Sequence, residues 1–356
     1  LSTVQLQALE TVDLQALNTA QVQALSTVQL QAIKTADLQA LKSTQIAALT
    51  TEQSAALTTA QIVALTTTQV QGISTDGIQS LSTVQLQVLE TVDLQALKTT
   101  QIAAITSDQS AALTTAQIVA LTSVQVSAIT TEALQTIGTT QLQVLETIDL
   151  RALSTVQVAA LTTDQVAALT TSQAAALSTA QVRALTTDEV QAVGTSQLLA
   201  LGTTSLQAFT TDQIAALTTA QLQALRTTDL QALTTTQIAA LTTDQTVALT
   251  TAQVVALTTA QVQALATADV AVLTTTQLQV LETVDLQALK TTQIAALTTD
   301  QVVALTTAQI VALTTAQAPA ITTEGIQALT SAQMEVLETV DLRVLSTVQI
   351  DALTTV

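Results

Sequence analysis

Five pairs of acidic residues, each a Glu followed three positions later by an Asp, are the residues of this sequence best suited to chemistry. Each pair lies within Leu-Glu-Thr-Val-Asp or its Ile variant. Two carboxylates at this spacing could bind a hard cation such as Ca²⁺. Paired carboxylates also carry out the acid–base steps of glycosidases. The pairs are Glu10/Asp13, Glu90/Asp93, Glu146/Asp149, Glu282/Asp285 and Glu338/Asp341.

The start of a helix explains the same pairs without a functional site, because negative charge in the first turn is favoured by the helix dipole. Calcium loops need several oxygen ligands and a turn glycine, and no such loop surrounds the pairs. The chain has no His and no Cys, and Phe209 is its single aromatic residue. Histidine bases, thiol nucleophiles, thiolate metal sites and disulfides are therefore excluded. We predict that the protein is not an enzyme and has no catalytic, cofactor-binding or metal-ligating residues and no cofactor.

A strict eight-residue register must position every side chain. From Leu1 to Leu353, every eighth residue is Leu, Ile, Val or Phe, so the chain reads as 44 octads followed by four residues. Numbered from this residue, position 3 is always Thr or Ser, position 5 is mostly Gln or Asp, position 6 is mostly aliphatic and position 8 is mostly Ala. So short and regular a repeat is typical of solenoids and fibrous arrays. We predict a single uninterrupted array over residues 1–356, as a segment of a longer chain.

The octad favours a short helix over a long helix or a strand. In one long helix, each octad would turn well beyond two full turns, so the leucines would circle the helix surface. A strand would place positions 1 and 6 on opposite faces. A β-solenoid could correct this with corners, and it is the alternative, but Gly, Pro and Asn are scarce. Since Ala, Gln and Leu are helix formers, we predict an all-α solenoid with one short capped helix in each octad.

Two residues of each octad compete for the role of helix cap. In Leu57–Ala64, Thr58 and Gln61 have the spacing of a capping box. Thr59, at position 3, is the better candidate for an obligatory cap because position 2 is sometimes Lys, Glu or Gly. The sequence leaves both registers open. We expect positions 1, 6 and 8 to lie inside and positions 2, 4 and 7 to face water, with Pro319 tolerated in a short helix.

Three polar residues occupy position 6, which is otherwise aliphatic. We interpret them as tolerated defects rather than sites. They are Ser54, Ser110 and Thr246.

Charge and hydropathy limit the partners. The net charge is −18, with only eight Lys and Arg residues, whereas nucleic acids and anionic membranes bind clustered bases. Apolar stretches are interrupted by Thr and Gln well before the roughly 18 residues that cross a membrane. We predict no nucleic-acid binding and no membrane insertion. The partners that remain are other copies of this chain, in end-to-end or lateral assembly, or flanking domains.

Whole octads have been copied along the chain. The stretches Leu81–Val119 and Leu273–Val311 read almost alike, and successive Glu–Asp octads are separated by whole numbers of octads. Such growth is expected where length itself is the useful property.

Tracts such as Ala-Leu-Thr-Thr-Ala-Gln-Ile-Val-Ala-Leu-Thr, at residues 112–122, resemble the Thr/Gln/Ala octad arrays of very large bacterial surface or secreted proteins of the adhesin type. The resemblance extends over the whole chain and concerns the style of repeat. It implies a stiff extracellular rod, stalk or filament, with no functional residues carried over. The alternative is a solenoid binding module that recognises a polysaccharide or a protein through its side. An aromatic or basic stripe at one exposed position would favour that alternative, and the sequence lacks such a stripe.

Overall fold

The computed structural model describes residues 2–337 and 339–353, without the side chain of residue 340. Contacts divide the chain into two compact units, Leu1–Ala184 and Leu185–Val356. The octad register continues through the sequence of both units. Throughout the described residues the secondary structure is helical and contains no strand. The predicted all-α repeat solenoid is therefore confirmed, and the β-solenoid alternative is wrong.

The helices share one starting point. Each of the helices α1–α42 begins at position 3 of an octad. Unit 1 contains α1 Thr3–Gln7, α2 Thr11–Ala16, α3 Thr19–Gln23, α4 Thr27–Ala32, α5 Thr35–Ala40, α6 Ser43–Ala47, α7 Thr51–Ala56, α8 Thr59–Ala64, α9 Thr67–Val70, α10 Thr75–Ser80, α11 Thr83–Gln87, α12 Thr91–Ala96, α13 Thr99–Ile102, α14 Ser107–Ala112, α15 Thr115–Ala120, α16 Ser123–Val126, α17 Thr131–Thr136, α18 Thr139–Gln143, α19 Thr147–Ala152, α20 Thr155–Val158, α21 Thr163–Ala168, α22 Thr171–Ala176 and α23 Thr179–Ala184. Unit 2 contains α24 Thr187–Ala192, α25 Thr195–Ala208, α26 Thr211–Ala216, α27 Thr219–Ala224, α28 Thr227–Ala232, α29 Thr235–Ile238, α30 Thr243–Ala248, α31 Thr251–Ala256, α32 Thr259–Ala264, α33 Thr267–Val272, α34 Thr275–Gln279, α35 Thr283–Ala288, α36 Thr291–Ile294, α37 Thr299–Ala304, α38 Thr307–Ala312, α39 Thr323–Gln327, α40 Ser331–Val336, α41 Thr339–Leu342 and α42 Thr347–Leu353.

Position 2 is the helix cap. Thr58 has an extended backbone, with φ −73° and ψ 157°, and its hydroxyl accepts the Gln61 N–H at 3.2 Å. In return, the Thr58 N–H donates to Gln61 Oε1 at 3.0 Å, which completes a capping box. Thr59 is already the first helical residue. The preference for position 3 as the obligatory cap is therefore wrong, because the chain is still extended at positions 1 and 2.

Some octads without a capping side chain keep half of the box. Lys98 and Gly138 occupy position 2 and make no side-chain cap. The Lys98 N–H still donates to Gln101 Oε1 at 2.8 Å. Because the position-5 side chain supplies this bond, position 2 can vary without loss of the helix start.

The interior differs from the expected one at two positions. Positions 1 and 6 are buried, as predicted: Leu57 is 3% and Ile62 is 1% exposed. Position 8 was also predicted to lie inside, but its alanines are mostly half-buried and only a few, such as Ala64, are buried, so that prediction is wrong for most octads. Position 5 takes its place in the interior, since Gln61 is only 2% exposed. Positions 2, 4 and 7 are mostly exposed.

Two octads of unit 2 depart from the regular helix. Pro319 lies in a short 3₁₀ helix, Ala318–Ala320, that takes the place of an α-helix. The missing N–H of this proline is tolerated because the helix in each octad is so short. In α25, two helices run together across Gly202, whose φ of 74° and ψ of 170° lie in a region that favours glycine.

Candidate functional site

The amide of the position-5 glutamine joins two turns of the solenoid. Gln101 Oε1 accepts the N–H of Lys98 in its own octad. Its Nε2 donates to the carbonyl of Val70 at 2.9 Å and to that of Ile73 at 2.8 Å. Gln101 is 2% exposed, so these bonds are shielded from water. One side chain therefore closes a helix start and ties it to the preceding turn.

The same pair of bonds recurs through each unit and shows how many residues form one turn. In unit 2, Gln245 Nε2 donates to the carbonyls of Ile214 and Leu217 at 2.8 and 2.7 Å. These bonds span 31 and 28 residues, and the bond from Gln15 Nε2 to the Ala40 carbonyl spans 25. One turn therefore takes about 28 residues, or three and a half octads. Further glutamines that make both bonds include Gln45, Gln53, Gln61, Gln69, Gln109, Gln117, Gln125, Gln165, Gln173 and Gln181 in unit 1, and Gln237, Gln253, Gln261, Gln277, Gln301, Gln309, Gln317 and Gln333 in unit 2.

Buried carboxylates replace this amide in a minority of octads. An ionised carboxylate accepts hydrogen bonds but has no N–H to donate. Asp269 accepts the Ala266 N–H at 3.2 Å and so keeps the cap half of the interaction. The buried position-5 acids are Asp93, Asp149, Glu189, Asp229, Asp269, Asp285 and Asp341.

Burial perturbs three of these acids. Desolvation raises the pKa of Asp93, and the charge of Glu90 adds to the rise. Desolvation also raises the pKa of Asp269. The Ala266 N–H and the nearby Thr246 hydroxyl lower it by a smaller amount, although the hydroxyl makes no regular hydrogen bond. Burial raises the pKa of Glu189, and hydrogen bonds from the Thr186 N–H and hydroxyl lower it by a smaller amount.

Asp229 has a different partner. Its carboxylate oxygens accept hydrogen bonds from Arg226 Nε at 2.7 Å and from Arg226 Nη2 at 2.9 Å. This hydrogen bonding raises the pKa of the Arg226 guanidinium. The pair lies within one helix start, between positions 2 and 5.

The two members of each predicted acidic pair have different surroundings. Glu90 is exposed at the cap position, whereas Asp93 is 5% exposed in the interior. The pairs at Glu146/Asp149 and Glu282/Asp285 repeat this division, while in the first pair both Glu10 and Asp13 are exposed. Glu338 lies outside the described residues. The helix-start interpretation thus accounts for the placement.

The described residues contain neither a metal-binding cluster nor a helix that could span a membrane. No cluster there brings together three or more His, Cys, Asp or Glu side chains that could hold a metal ion. None of the described helices is long and apolar enough to cross a membrane. That the protein lacks catalytic and cofactor-binding residues stays a prediction.

A stripe of exposed carboxylates, which the sequence analysis missed, follows one side of each unit at position 4. Successive members in unit 1 are alternately three and four octads apart, so one step of each kind makes two turns. We call it the acidic stripe: Glu52, Asp76, Asp108, Glu132 and Asp164 in unit 1, and Asp188, Asp212, Asp244, Asp300 and Glu324 in unit 2. Hydrogen bonds from its own backbone and from Thr131 lower the pKa of Glu132.

The repeat itself identifies the family. The sequence profile of the ALTTAQ repeat matches residues 6–36, 30–67, 86–123, 142–179, 190–227, 224–259 and 278–315, which together cover more than half of the chain. The chain belongs to the ALTTAQ repeat family. A comparison with curated proteins finds no match.

The six residues for which the ALTTAQ repeat is named correspond to the elements of this geometry. They occur, for example, as Ala112–Gln117. Leu113 is buried, Thr114 caps α15, and Gln117 Nε2 donates to the carbonyls of Leu86 and Leu89. The ALTTAQ motif therefore combines a core residue, a helix cap and the bond between turns.

Proposed function

We propose that this ALTTAQ repeat chain is a structural, non-enzymatic protein that forms a stiff rod, stalk or filament. The observation that carries the proposal is the row of position-5 amides, which ties each turn to the preceding one in both units. A solenoid whose units contact only their neighbours gains length with each added repeat. A void in unit 1 lined by Ile118, Val126 and Leu134 measures only about 10 Å³, so side chains fill the interior at this place.

The site of action in this proposal is the surface of a bacterial cell or its exterior. This part of the proposal rests on the resemblance to octad arrays of large bacterial surface and secreted proteins. Labelling of intact producing cells with antibodies against the repeat tests it. Labelling only after the cells are opened would contradict an extracellular location.

Length measurement tests the rod. Deletion of Leu217–Val272 removes seven octads and so two turns, which keeps both the octad register and the place of each later residue around the turn. We expect electron microscopy and small-angle scattering to show an elongated particle that the deletion shortens. The control deletion, Leu217–Ala268, is four residues shorter and breaks the register, so it should impair folding. A globular particle would contradict the rod.

A binding module that recognises polysaccharide through its side is the second candidate, and no observation favours it. Flat aromatic side chains supply much of the contact area in binding surfaces. The single aromatic residue, Phe209, is 4% exposed and belongs to the core. The structural role is therefore the proposal.

A further inference from the structure

A group of aliphatic side chains lies on the surface of unit 1, at the mostly exposed octad positions 4 and 7. Their exposed fractions range from 47% for Val119 to 65% for Val124 and Ile148. Contiguous exposed apolar groups commonly mark interaction sites, whereas single ones do not. The group, which we call the aliphatic patch, consists of Val92, Val119, Val124 and Ile148.

The helices that carry the aliphatic patch are stacked on one another. Helix α12, with Val92, packs against α15, with Val119. Helix α16, with Val124, packs against α19, with Ile148. Val92 and Ile148 are seven octads apart, which is two turns and returns the chain to the same side. Val92 and Ile148 therefore lie on one side of unit 1, with Val119 and Val124 on neighbouring helices of the intervening turn.

Charges of both signs surround the aliphatic patch. Glu90 and Lys98 lie in the turn that carries Val92, and Glu146 and Arg151 lie beside Ile148. All four are exposed, and their formal charges sum to zero. By the same count of octads per turn, the acidic stripe, with Asp108, Glu132 and Asp164, lies on the opposite side. The surface of this part of unit 1 therefore has a neutral apolar side and an acidic side.

We propose that the aliphatic patch binds the aliphatic patch of a second copy of this chain. Each copy carries a net charge of −18, so approach through the acidic stripe is opposed by like charges. The patch is the side on which charge does not oppose approach. A two-fold interface brings the same surface of both copies together. Valines then meet valines, and Lys98 or Arg151 of one copy can face Glu90 or Glu146 of the other.

The pairing gives the proposed rod a lateral partner. Its biological use rests on the proposed function, but pairing and elongation are measured separately. Mass reports the pairing, and particle shape reports the rod. An elongated monomer would overturn the pairing and leave the rod intact, whereas a globular dimer would do the reverse.

Removal of the apolar surface is the first test. The double variant Val124→Ser, Ile148→Ser changes two exposed position-4 residues to a residue that Ser172 and Ser196 already supply at this position. In sedimentation velocity over a concentration series, we expect the full chain to dimerise reversibly and the variant to dimerise at least about tenfold more weakly. Val284→Ser with Val348→Ser, exposed at the same octad position in unit 2, is the matched control and should dimerise like the unmodified chain. A monomeric full chain, or equal dimerisation by all three proteins, overturns the proposal.

Exchange of charges is the second test and distinguishes contact from misfolding. Glu90, Lys98 and Glu146 make no side-chain cap, so their substitution leaves the helix starts intact. Lys98→Glu with Arg151→Glu, and separately Glu90→Lys with Glu146→Lys, should each weaken self-pairing. An equal mixture of these two variants should form mixed dimers, because each restores the opposite charges. Failure of the mixture to pair, while both variants keep the helical spectrum of the unmodified chain, overturns the two-fold arrangement.

Discussion

The consecutive octads Leu89–Ala96 and Leu97–Ala104 fold alike and differ at position 5. Both begin with a charged residue that makes no side-chain cap, Glu90 or Lys98, and both bury their position-1 and position-6 side chains. The second octad has Gln101, which donates two hydrogen bonds to the preceding turn. The first has Asp93, which as a carboxylate can donate none. The octad therefore folds on its apolar pair, while one side chain decides how strongly it is bound to the turn before it.

Octads that lack any polar group at position 5 show a second way of joining turns. At Gly77, an added Cβ would lie 3.0 Å from Ser54 Oγ in the preceding turn. Ala133 and Ser110 have the same separation along the chain as Gly77 and Ser54. Helix α17, which carries Ala133, packs against helix α14, which carries Ser110. Ser54 and Ser110 are therefore buried small residues beside another small residue. They are part of the packing between turns, which the defect interpretation did not anticipate.

The largest effect should follow Gln101→Ala. The substitution removes the donor to Val70 and Ile73 and the acceptor for the Lys98 N–H. Since buried groups lose their partners, we expect a loss of about 2–5 kcal/mol of local stability. Hydrogen-exchange mass spectrometry should show faster exchange in α9 and α13. Thr100→Ala, at exposed position 4 of the same helix, is the control, and equal exchange in the two variants would contradict the role of the amide.

Gln101→Glu would give the second octad the chemistry of the first. Glutamate can still accept the Lys98 N–H, as Glu189 accepts that of Thr186 at 2.6 Å. It cannot donate to Val70 or Ile73 while ionised, so we expect a loss of about 1–3 kcal/mol at neutral pH. Protonation supplies an O–H donor, and exchange measured at pH 4 should therefore show a smaller loss. A loss independent of pH would show that shape rather than the missing donor is responsible.

Asp93→Gln reverses the comparison and should remove a pH dependence. Burial raises the pKa of Asp93, so the folded state binds its proton more tightly than the unfolded state does. The resulting contribution to stability is present below the unfolded pKa of about 4 and is lost as the pH rises through the folded pKa. We expect the variant to gain about 1 kcal/mol at pH 7 and little at pH 4. Exchange rates in α12 across this range measure both, and an unchanged pH profile would argue against titration of Asp93.

The smallest effect should come from the cap. Lys98→Thr supplies the hydroxyl that Thr106 provides in the next octad, where it accepts the Gln109 N–H at 3.3 Å. A threonine cap typically adds about 1 kcal/mol. Slower exchange in α13 would confirm the gain, and Thr106→Ala should show a loss of similar size in α14. If neither changes, position 5 alone sets the helix start.

Local features of this fold could be predicted from the sequence, and the relation between turns could not. The leucine register and the Thr58–Gln61 spacing predict short capped helices because their causes lie within eight residues. The partner of Gln61 Nε2 is the Leu30 carbonyl, 31 residues away, and an eight-residue repeat does not contain the length of a turn. The burial of position 5 was missed for this reason. The sequence did contain a signal for the length of a turn. Glu52 and Asp76 are three octads apart, Asp76 and Asp108 are four octads apart, and the mean of the two steps is one turn.

The hydrogen bonds of Gln101 to Val70 and Ile73 also bear on how the chain responds to pulling. A force along the axis of either unit acts on these bonds between turns, while the core leucines hold each octad together. Release of one turn frees about 28 residues, which extend to roughly 90–100 Å. Neighbouring turns keep their own amides, so extension proceeds turn by turn. We expect force spectroscopy to record a series of small, similar steps that refold on relaxation, so that the chain lengthens under load without breaking.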